Sequence, residues 1–173
     1  TAVTASNPEE IKQTWKEELR EKRADFIEKL EITDEVKQIA MSDKTIWSPD
    51  EKKFLYTKQN GNKLQYWVHN LENLLPVGEK ESTYVFETNA DEVQPKITWY
   101  SDSFHLLTVR GDIATDKRGN VKIIRIDGTN ETEIYNNTLY SDQVFSAPTG
   151  DKVIILTTFK SGEQTDLYTV SIR

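Results

Sequence analysis

Apolar residues near the start of the chain follow the spacing of one helix face. Asn7 supplies an N-cap and Pro8 suits the first helical position, so the pattern predicts an amphipathic helix over residues 8–30. We expect its stripe to pack on the β-rich part of the chain or to continue an upstream stalk, with a coiled-coil partner or a membrane surface as alternatives. The stripe consists of Ile11, Trp15, Leu19, Phe26 and Leu30.

The next stretch gives an ambiguous pattern of apolar residues. Thr33-Asp34-Glu35 is suited to capping a second short helix, whereas Val36–Met41 is also compatible with a strand. We expect a short helix or turn that leads into a strand. From Thr45 onward the sequence consists of short β-rich runs separated by Gly, Asn, Asp and Pro, which predicts a domain boundary there.

The β-rich part repeats itself. A constant offset of 52 residues aligns Trp47 with Trp99, Asp50 with Asp102 and Phe54 with Leu106. An offset of 47 then aligns Leu106 with Val153, although the third copy has no Trp. Each copy is predicted to contain a strand, a turn, a second strand, a hairpin and a third strand.

A later strand also recurs, in the runs 64–69, 121–126 and 167–172, at offsets of 57 and then 46. The larger first offset predicts a loop insertion over residues 111–120, where the first copy has Asn60-Gly61-Asn62 and the third has Ser161-Gly162-Glu163. Fourth strands are predicted at residues 83–87 and 132–136, and the third copy stops before one.

The segment Trp47-Ser48-Pro49-Asp50-Glu51-Lys52-Lys53-Phe54 resembles the W-S-P-D-G-K-K-I signature of the PD40, or TolB-like, β-propeller repeats of bacteria. The resemblance implies a mainly β protein with three propeller blades, an incomplete propeller, preceded by an N-terminal amphipathic helix. It implies that the signature Asp accepts local backbone N–H bonds and that the aromatic residue packs between blades. The predicted domains are 1–44 for the tail, helix and linker, and 45–173 for three repeats, at 45–95, 96–141 and 142–173.

Composition and charge narrow the classes of partner. The formal net charge of −7 offers no basic field for a phosphate backbone, so nucleic acid is not expected. No apolar run is long enough to span a bilayer, and zero cysteines exclude thiol chemistry. The start at Thr1 lacks an initiator Met, which fits a longer precursor, divided either after a signal or membrane anchor or at an arbitrary boundary.

No catalytic, metal-binding or cofactor-binding group emerges from the sequence. His69 is predicted to be a packed strand residue, and His105 aligns with Lys53 and Lys152 at positions expected to face solvent. Turn aspartates are expected to cap their own backbone and not to bind calcium. These are Asp112, Asp116 and Asp127. The acceptor patterns at 130–132 and 136–138 are too short to indicate glycosylation.

Aromatic residues in the first two repeats suggest a sugar-stacking platform, but the alignment argues for core positions. It matches Trp67 with Ile124 and Val170, and Phe54 with Leu106 and Val153. The other aromatic residues considered are Trp47, Trp99, Tyr56 and Tyr66. A ligand surface is expected where the copies differ most, at the hairpin 111–120 and the connection Leu71–Ser82.

These patterns favour a non-enzymatic interaction or structural module of a bacterial envelope or cell-surface protein. We expect it to be extracytoplasmic, to have a protein partner and to be anchored, if at all, through a preceding segment. The alternative is the accessory propeller of a peptidase or polysaccharide-active enzyme whose catalytic domain lies elsewhere. Three blades leave open edges. Three arrangements would cover these edges. The helix 8–30 packs over them, two chains pair through the open blade edges, or further blades are present.

Overall fold

The computed structural model describes residues 7–72, 80–158 and 165–172. The chain divides into two compact units, Thr1–Thr45 and Ile46–Arg173. The predicted hairpin at 161–163 and most of the connection Leu71–Ser82 lie outside the described residues.

The first unit contains two helices, α1 (Pro8–Glu28) and α2 (Asp34–Ala40). Asn7 caps α1 by accepting the Glu9 N–H, and Thr33 caps α2 by accepting the Val36 N–H, so both predicted starts are confirmed. Trp15, Leu19 and Phe26 of the predicted stripe are exposed, and the packing of the stripe on the rest of the chain stays a prediction. The less exposed residues of α1 are Ile11, Arg23 and Ile27, and Leu30, just beyond its end, is also partly buried.

The second unit contains three antiparallel sheets, each formed from strands consecutive in sequence. The first sheet contains β1 (Ile46–Trp47), β2 (Lys53–Asn60), β3 (Lys63–Asn70) and β4 (Ser82–Asn89). The second contains β5 (Lys96–Trp99), β6 (His105–Arg110), β7 (Arg118–Arg125) and β8 (Thr132–Thr138). The third contains β9 (Phe145–Ser146), β10 (Lys152–Thr157) and β11 (Asp166–Ser171). The predicted fourth strands are confirmed as β4 and β8, and none of the described sheets closes on itself.

Two hydrophobic cores hold the sheets face to face. The first joins residues of β2, β3 and β4 to Ile97, Trp99, Leu106 and Ile124 of the second sheet. The second core joins the opposite face of the second sheet to the third. Leu106 and Leu107 are adjacent and both fully buried, one in each core. The middle sheet is therefore buried on both faces, which explains why residues 106–109 of β6 are all buried.

Strand pairing confirms the first repeat alignment. Trp47 pairs with Phe54 in the first sheet and Trp99 with Leu106 in the second, as the offset of 52 requires. In the third sheet Ser146 takes the place of the tryptophan, opposite Val153. The start of each blade therefore keeps its pairing even where the aromatic residue is absent.

The offset of 57 for the later strand is wrong. Phe54 pairs with His69 and Leu106 with Ile124, so these strands are 55 residues apart. A register shift between Tyr66 and Trp67 recurs 55 residues later, between Val121 and Lys122. Trp67 therefore corresponds to Lys122 and not to Ile124, and the hairpin insertion is three residues long.

The same backbone turn joins the first two strands of every sheet. One residue in each turn lies in the left-handed region, with φ of 57° at Glu51, 60° at Ser103 and 65° at Gly150. Its N–H donates to the carbonyl three residues earlier, at 2.9, 3.1 and 2.9 Å respectively. The turn therefore keeps its geometry in the third repeat, where the Trp and Asp of the signature are absent.

Candidate functional site

A cleft of about 920 Å³ in the second unit lies where three connections meet at one edge of the sheets. They are the β4–β5 connection, the β6–β7 hairpin and the β8–β9 connection. We call it the loop cleft. Its lining residues are Val93, Gln94, Pro95, Lys96, Val109, Arg110, Gly111, Asp112, Ile113, Ala114, Lys117, Tyr140, Ser141 and Asp142.

Gln94 fixes the wall built by the β4–β5 connection. Its Oε1 accepts hydrogen bonds from the Tyr66 hydroxyl at 3.0 Å and from the Thr88 hydroxyl. Its Nε2 donates to the carbonyls of Asn89 at 2.8 Å and Glu92 at 2.7 Å. Because both ends of the amide are occupied, this wall is preorganised rather than adaptable.

The β6–β7 hairpin forms the second wall. Asp112 Oδ1 accepts the Thr115 N–H at 2.8 Å, and this bond holds the pKa of the Asp112 carboxyl below its usual value. Gly111 has a φ of 126°, and a Cβ there would lie 2.5 Å from the Arg118 carbonyl oxygen. The Leu139 N–H donates to the Lys117 carbonyl at 2.8 Å and ties the hairpin to the third wall.

The charge of the loop cleft differs from that of the whole chain. Three cations line it, Lys96, Arg110 and Lys117, against two carboxylates, Asp112 and Asp142. The Arg110 guanidinium lies over the Phe86 ring, 5.8 Å from its centroid. The sequence reasoning anticipated a ligand surface at the hairpin but missed Lys96 and Arg110, which lie at the start of β5 and the end of β6.

A smaller pocket of about 140 Å³ shares Lys96, Val109 and Asp142 with the loop cleft. Its other lining residues are Ile97, Thr98, Gln143, Val144 and Phe145. Three of its apolar lining residues, Ile97, Val109 and Val144, are buried. We call this pocket the apolar recess.

No protein-family model and no curated protein matches this chain. Among solved structures, TolB from Acinetobacter baumannii matches with a TM-score of 0.50 and 12% identity, over 74% of this chain and 29% of that one. An acylaminoacyl peptidase from Pyrococcus horikoshii matches at 0.45 and 19%, over 72% and 23%. The β-propeller domain of the Trilobed protease from Pyrococcus furiosus matches at 0.42 and 19%, over 72% and 38%.

The likeness to TolB, together with the three consecutive sheets and their repeated turns, decides the fold. The second unit has a TolB-like β-propeller fold. The chain spans less than a third of the length of that TolB, and the low identity extends the likeness to the fold alone.

The signature residues of this TolB-like domain hold its turns, as the resemblance implied. Asp102 Oδ1 accepts the N–H groups of Phe104 and His105, at 2.8 and 3.0 Å. Trp99 Nε1 donates to the Ile46 carbonyl at 2.8 Å and so links two blades. Asp50 accepts the Lys52 N–H at 3.1 Å. These residues stabilise the blades and leave the loop cleft as the stronger candidate for function.

The two histidines lie in different environments within the TolB-like domain. His69 is buried, stacks on Phe54 at 5.2 Å and has Nδ1 2.8 Å from the Ser82 hydroxyl, which confirms it as a packed strand residue. His105 Nδ1 lies 2.7 Å from Asp102 Oδ2. The prediction of a solvent-facing position at this alignment is wrong for Lys53, which is 1% exposed.

Lys53 is buried because two neighbours compensate its charge. Its Nζ lies 3.4 Å from Asp50 Oδ2 and 4.5 Å from the centroid of the Phe104 ring. Burial by itself raises the pKa of Asp50, but hydrogen bonds from Ser48 and the Lys52 backbone, together with the Lys53 charge, lower it below its usual value. A buried ammonium with a carboxylate and an aromatic partner is a structural feature of the blade turn.

The aromatic residues divide between core and surface. Phe54, Tyr56, Tyr66 and Trp99 are buried, as predicted from the alignment, whereas Trp67 is half-buried. Trp67 packs edge-on against Tyr84 at 5.6 Å, and Lys58 Nζ lies 5.4 Å from its ring centroid. The core interpretation of Trp67 is wrong because it depended on the offset of 57.

The turn aspartates Asp112 and Asp127 cap their own backbone, as predicted; Asp127 Oδ1 accepts the Thr129 N–H at 3.0 Å. Within residues 7–72, 80–158 and 165–172, no three His, Asp or Glu side chains come together as metal ligands. The helices in this part of the chain are too short or too polar to cross a membrane.

Proposed function

We propose that the TolB-like domain is a non-enzymatic binding module of an extracytoplasmic protein, and that the loop cleft binds a segment of a protein partner. The observation that carries the proposal is the meeting of three connections around a cleft of about 920 Å³. Loops held by a rigid scaffold are where binding residues concentrate. We also propose the division into residues 1–44 and 45–173, with repeats at 45–95, 96–141 and 142–173.

The preorganised walls support binding rather than catalysis. Gln94 and Asp112 have their polar atoms engaged by neighbouring backbone and side chains. The cleft lining contains no histidine and a single hydroxyl of the serine or threonine type, Ser141. A nucleophile and a base within hydrogen-bond reach are therefore not assembled among these lining residues.

A peptide selection tests the proposal. Peptides from a displayed random library are selected on the purified chain, and their binding is then compared with Ala114→Trp, which fills the cleft. Thr115→Trp is the matched control, because Thr115 is the next residue of the same exposed hairpin but does not line the cleft. We expect selected peptides to lose binding with Ala114→Trp and to keep it with Thr115→Trp. Equal binding to both variants would exclude the loop cleft as the peptide-binding site.

An accessory role beside a catalytic domain is the competing function. Recovery of the full reading frame distinguishes the two roles: an adjoining hydrolase domain would establish the accessory role, and an N-terminal anchor with no catalytic domain would favour the binding module. The purified chain itself is expected to show no turnover of ester, peptide or glycan substrates. Turnover abolished by one substitution in this chain would contradict the proposal.

A further inference from the structure

Two cations of the loop cleft have no carboxylate partner among the described residues. Lys96 and Arg110 are both exposed and take part in none of the ion pairs that the structure shows. Elsewhere in the second unit, Lys52, Lys53, Lys122 and Arg125 each lie within 4 Å of a carboxylate oxygen. Lys58 and Lys152 likewise take part in none of these ion pairs, so what distinguishes Lys96 and Arg110 is that both line one cleft.

Both cations line the loop cleft where β5 begins and β6 ends. Lys96 pairs with Val109 in the β5–β6 register, so Lys96 and Arg110 project from opposite faces of the second sheet. The stacking of Arg110 on Phe86 limits the freedom of the guanidinium while leaving its N–H donors available. Lys117, the third cation, already donates to the Ala114 carbonyl at 2.9 Å. Lys96 and Arg110 are therefore the groups that an incoming anion would meet.

The two carboxylates of the cleft both oppose an anionic ligand, but they differ in position. The Asp112 carboxylate accepts the Thr115 N–H in the hairpin turn and keeps its charge. Asp142 is exposed and lines both the loop cleft and the apolar recess. Asp142 is therefore the acidic residue beside the recess, where its charge would oppose a bound carboxylate.

The apolar recess indicates which side chain of the ligand lies next to the bound anion. Its volume of about 140 Å³ is comparable to a cavity of roughly 150 Å³ that accepts benzene, so it has room for one leucine or phenylalanine side chain. Ile97, Val109 and Val144 are buried and line it. Since Lys96 borders both cavities, a carboxylate bound there lies next to a side chain in the recess.

We propose that the loop cleft binds an acidic polypeptide segment in which carboxylates flank a leucine or phenylalanine. Lys96 and Arg110 bind the carboxylates, and the recess accepts the apolar side chain. This inference rests on the proposed function, because it names the chemistry of the segment that the same cleft takes. The ligand is a polypeptide, because the recess requires an apolar side chain next to the charge.

Fluorescence anisotropy tests the inference with a labelled Gly/Ser peptide that carries Glu-Leu-Glu at its centre. The comparison peptides carry Gln-Leu-Gln and Glu-Ser-Glu. We expect the Gln peptide to bind about three- to tenfold more weakly, as the loss of two exposed ion pairs predicts. The Ser peptide is expected to bind about tenfold more weakly, because a leucine loses its burial.

Variants of the chain give the matching result. Lys96→Gln combined with Arg110→Gln should weaken binding of the Glu-Leu-Glu peptide by about three- to tenfold. Lys122→Gln combined with Arg125→Gln makes the same change in net charge away from the cleft and should leave binding unchanged. Asp142→Asn should strengthen binding by about two- to threefold, because it removes the opposing carboxylate.

The outcomes separate this inference from the proposed function. Equal binding of the Glu and Gln peptides, or equal weakening by the two double variants, would overturn the acidic ligand. If selected peptides lose binding with Ala114→Trp but are not acidic, the loop cleft is the binding site and the proposed acidic ligand is wrong. If no selected peptide responds to Ala114→Trp, the proposed function fails and this inference fails with it.

Discussion

The residue that follows the signature Asp has a backbone conformation that favours glycine. Glu51 and Ser103 occupy a left-handed position that the third repeat fills with Gly150. The left-handed conformation costs a residue other than glycine about 1–2 kcal/mol. The first two blades therefore retain strain that the third avoids.

Gly150→Ala isolates this strain. The new Cβ would lie 3.7 Å from Ser101 Oγ, an ordinary contact, so only the φ of 65° opposes it. We expect a loss of about 1 kcal/mol in the free energy of unfolding, measured with urea. Glu51→Gly should change stability in the opposite direction by less than about 1 kcal/mol, since a more flexible unfolded chain offsets part of the gain. Stabilisation by Gly150→Ala would refute this explanation.

The two tryptophans at the start of their blades are not equally buried, although the repeat aligns them. Trp99 is 6% exposed and its Nε1 bonds to the Ile46 carbonyl, whereas Trp47 is half-buried. Trp99→Ala is expected to lower the free energy of unfolding by about 3–5 kcal/mol, and Trp47→Ala by at least about 1 kcal/mol less. Chemical denaturation of both variants checks the order. Equal losses would show that exposure does not distinguish the two sites.

His69 is expected to make stability depend on pH. Burial lowers its pKa below the usual 6.5, with a smaller lowering by Lys58 and an opposing effect of Glu81. The folded state therefore binds the proton less readily than the unfolded chain. The stabilising contribution is present above about pH 6.5 and is lost as the pH falls towards the folded pKa.

The measurement is urea denaturation at about pH 7.5 and 5.5, above the range in which the carboxylates titrate. His69→Gln keeps a group that can bond to Ser82 but does not titrate, so its stability should fall less over this interval than that of the wild type. Parallel pH dependences for the two proteins would assign the effect to other groups.

Among the secondary-structure elements, the β6–β7 hairpin is the one that shapes the cleft. Its turn depends on Gly111, whose φ of 126° and close approach to the Arg118 carbonyl leave no space for a side chain. Gly61, in the corresponding hairpin of the first blade, also has a positive φ, but a Cβ there would meet nothing within 4 Å. The two glycines therefore differ in the space around them and not in the sign of φ.

Gly111→Ala and Gly61→Ala form a matched pair. Both incur the conformational penalty of a positive φ, but only Gly111→Ala adds a collision with backbone. We expect Gly111→Ala to reduce stability by about 1–3 kcal/mol more than Gly61→Ala does. It should also shift the amide resonances of residues 112–117 in an NMR spectrum. Equal stability losses would mean that the hairpin relaxes without strain.

For the whole molecule, the third sheet presents an apolar face opposite to the second core. Ile154 pairs with Phe145, and Leu156 with Leu167, on the side away from Val153 and Ile155. Phe145 is 56% exposed and Leu167 is 73% exposed. An exposed face of this kind favours association at high concentration.

Light scattering of the full chain over a range of concentrations tests this association. Phe145→Ser combined with Leu167→Ser is expected to lower the concentration-dependent rise in apparent mass. Val93→Ser is the control, because Val93 is 95% exposed but lies on the loop cleft. A chain that scatters as a monomer at every concentration would show that this face does not drive self-association.

Local patterns in the chain were enough to establish the repeat, the turns and the class of fold. The spacing of Trp47 and Trp99 and of Phe54 and Leu106 reproduces the strand pairing, because the turn between them has a fixed length. The starts of α1 and α2 followed from local hydrogen bonds of Asn7 and Thr33. These features depend on contacts between residues close in sequence, so the sequence alone predicts them.

The register of β3 and the composition of the loop cleft depended on contacts between distant parts of the chain. A shift of two residues keeps every side chain on the same face of a strand, so hydrophobic alternation does not distinguish an offset of 55 from one of 57. Lys96, Arg110 and Asp142 come from three separate stretches of the chain. They come together only because sheet packing and antiparallel pairing bring their connections to one edge. No local sequence pattern predicts this arrangement.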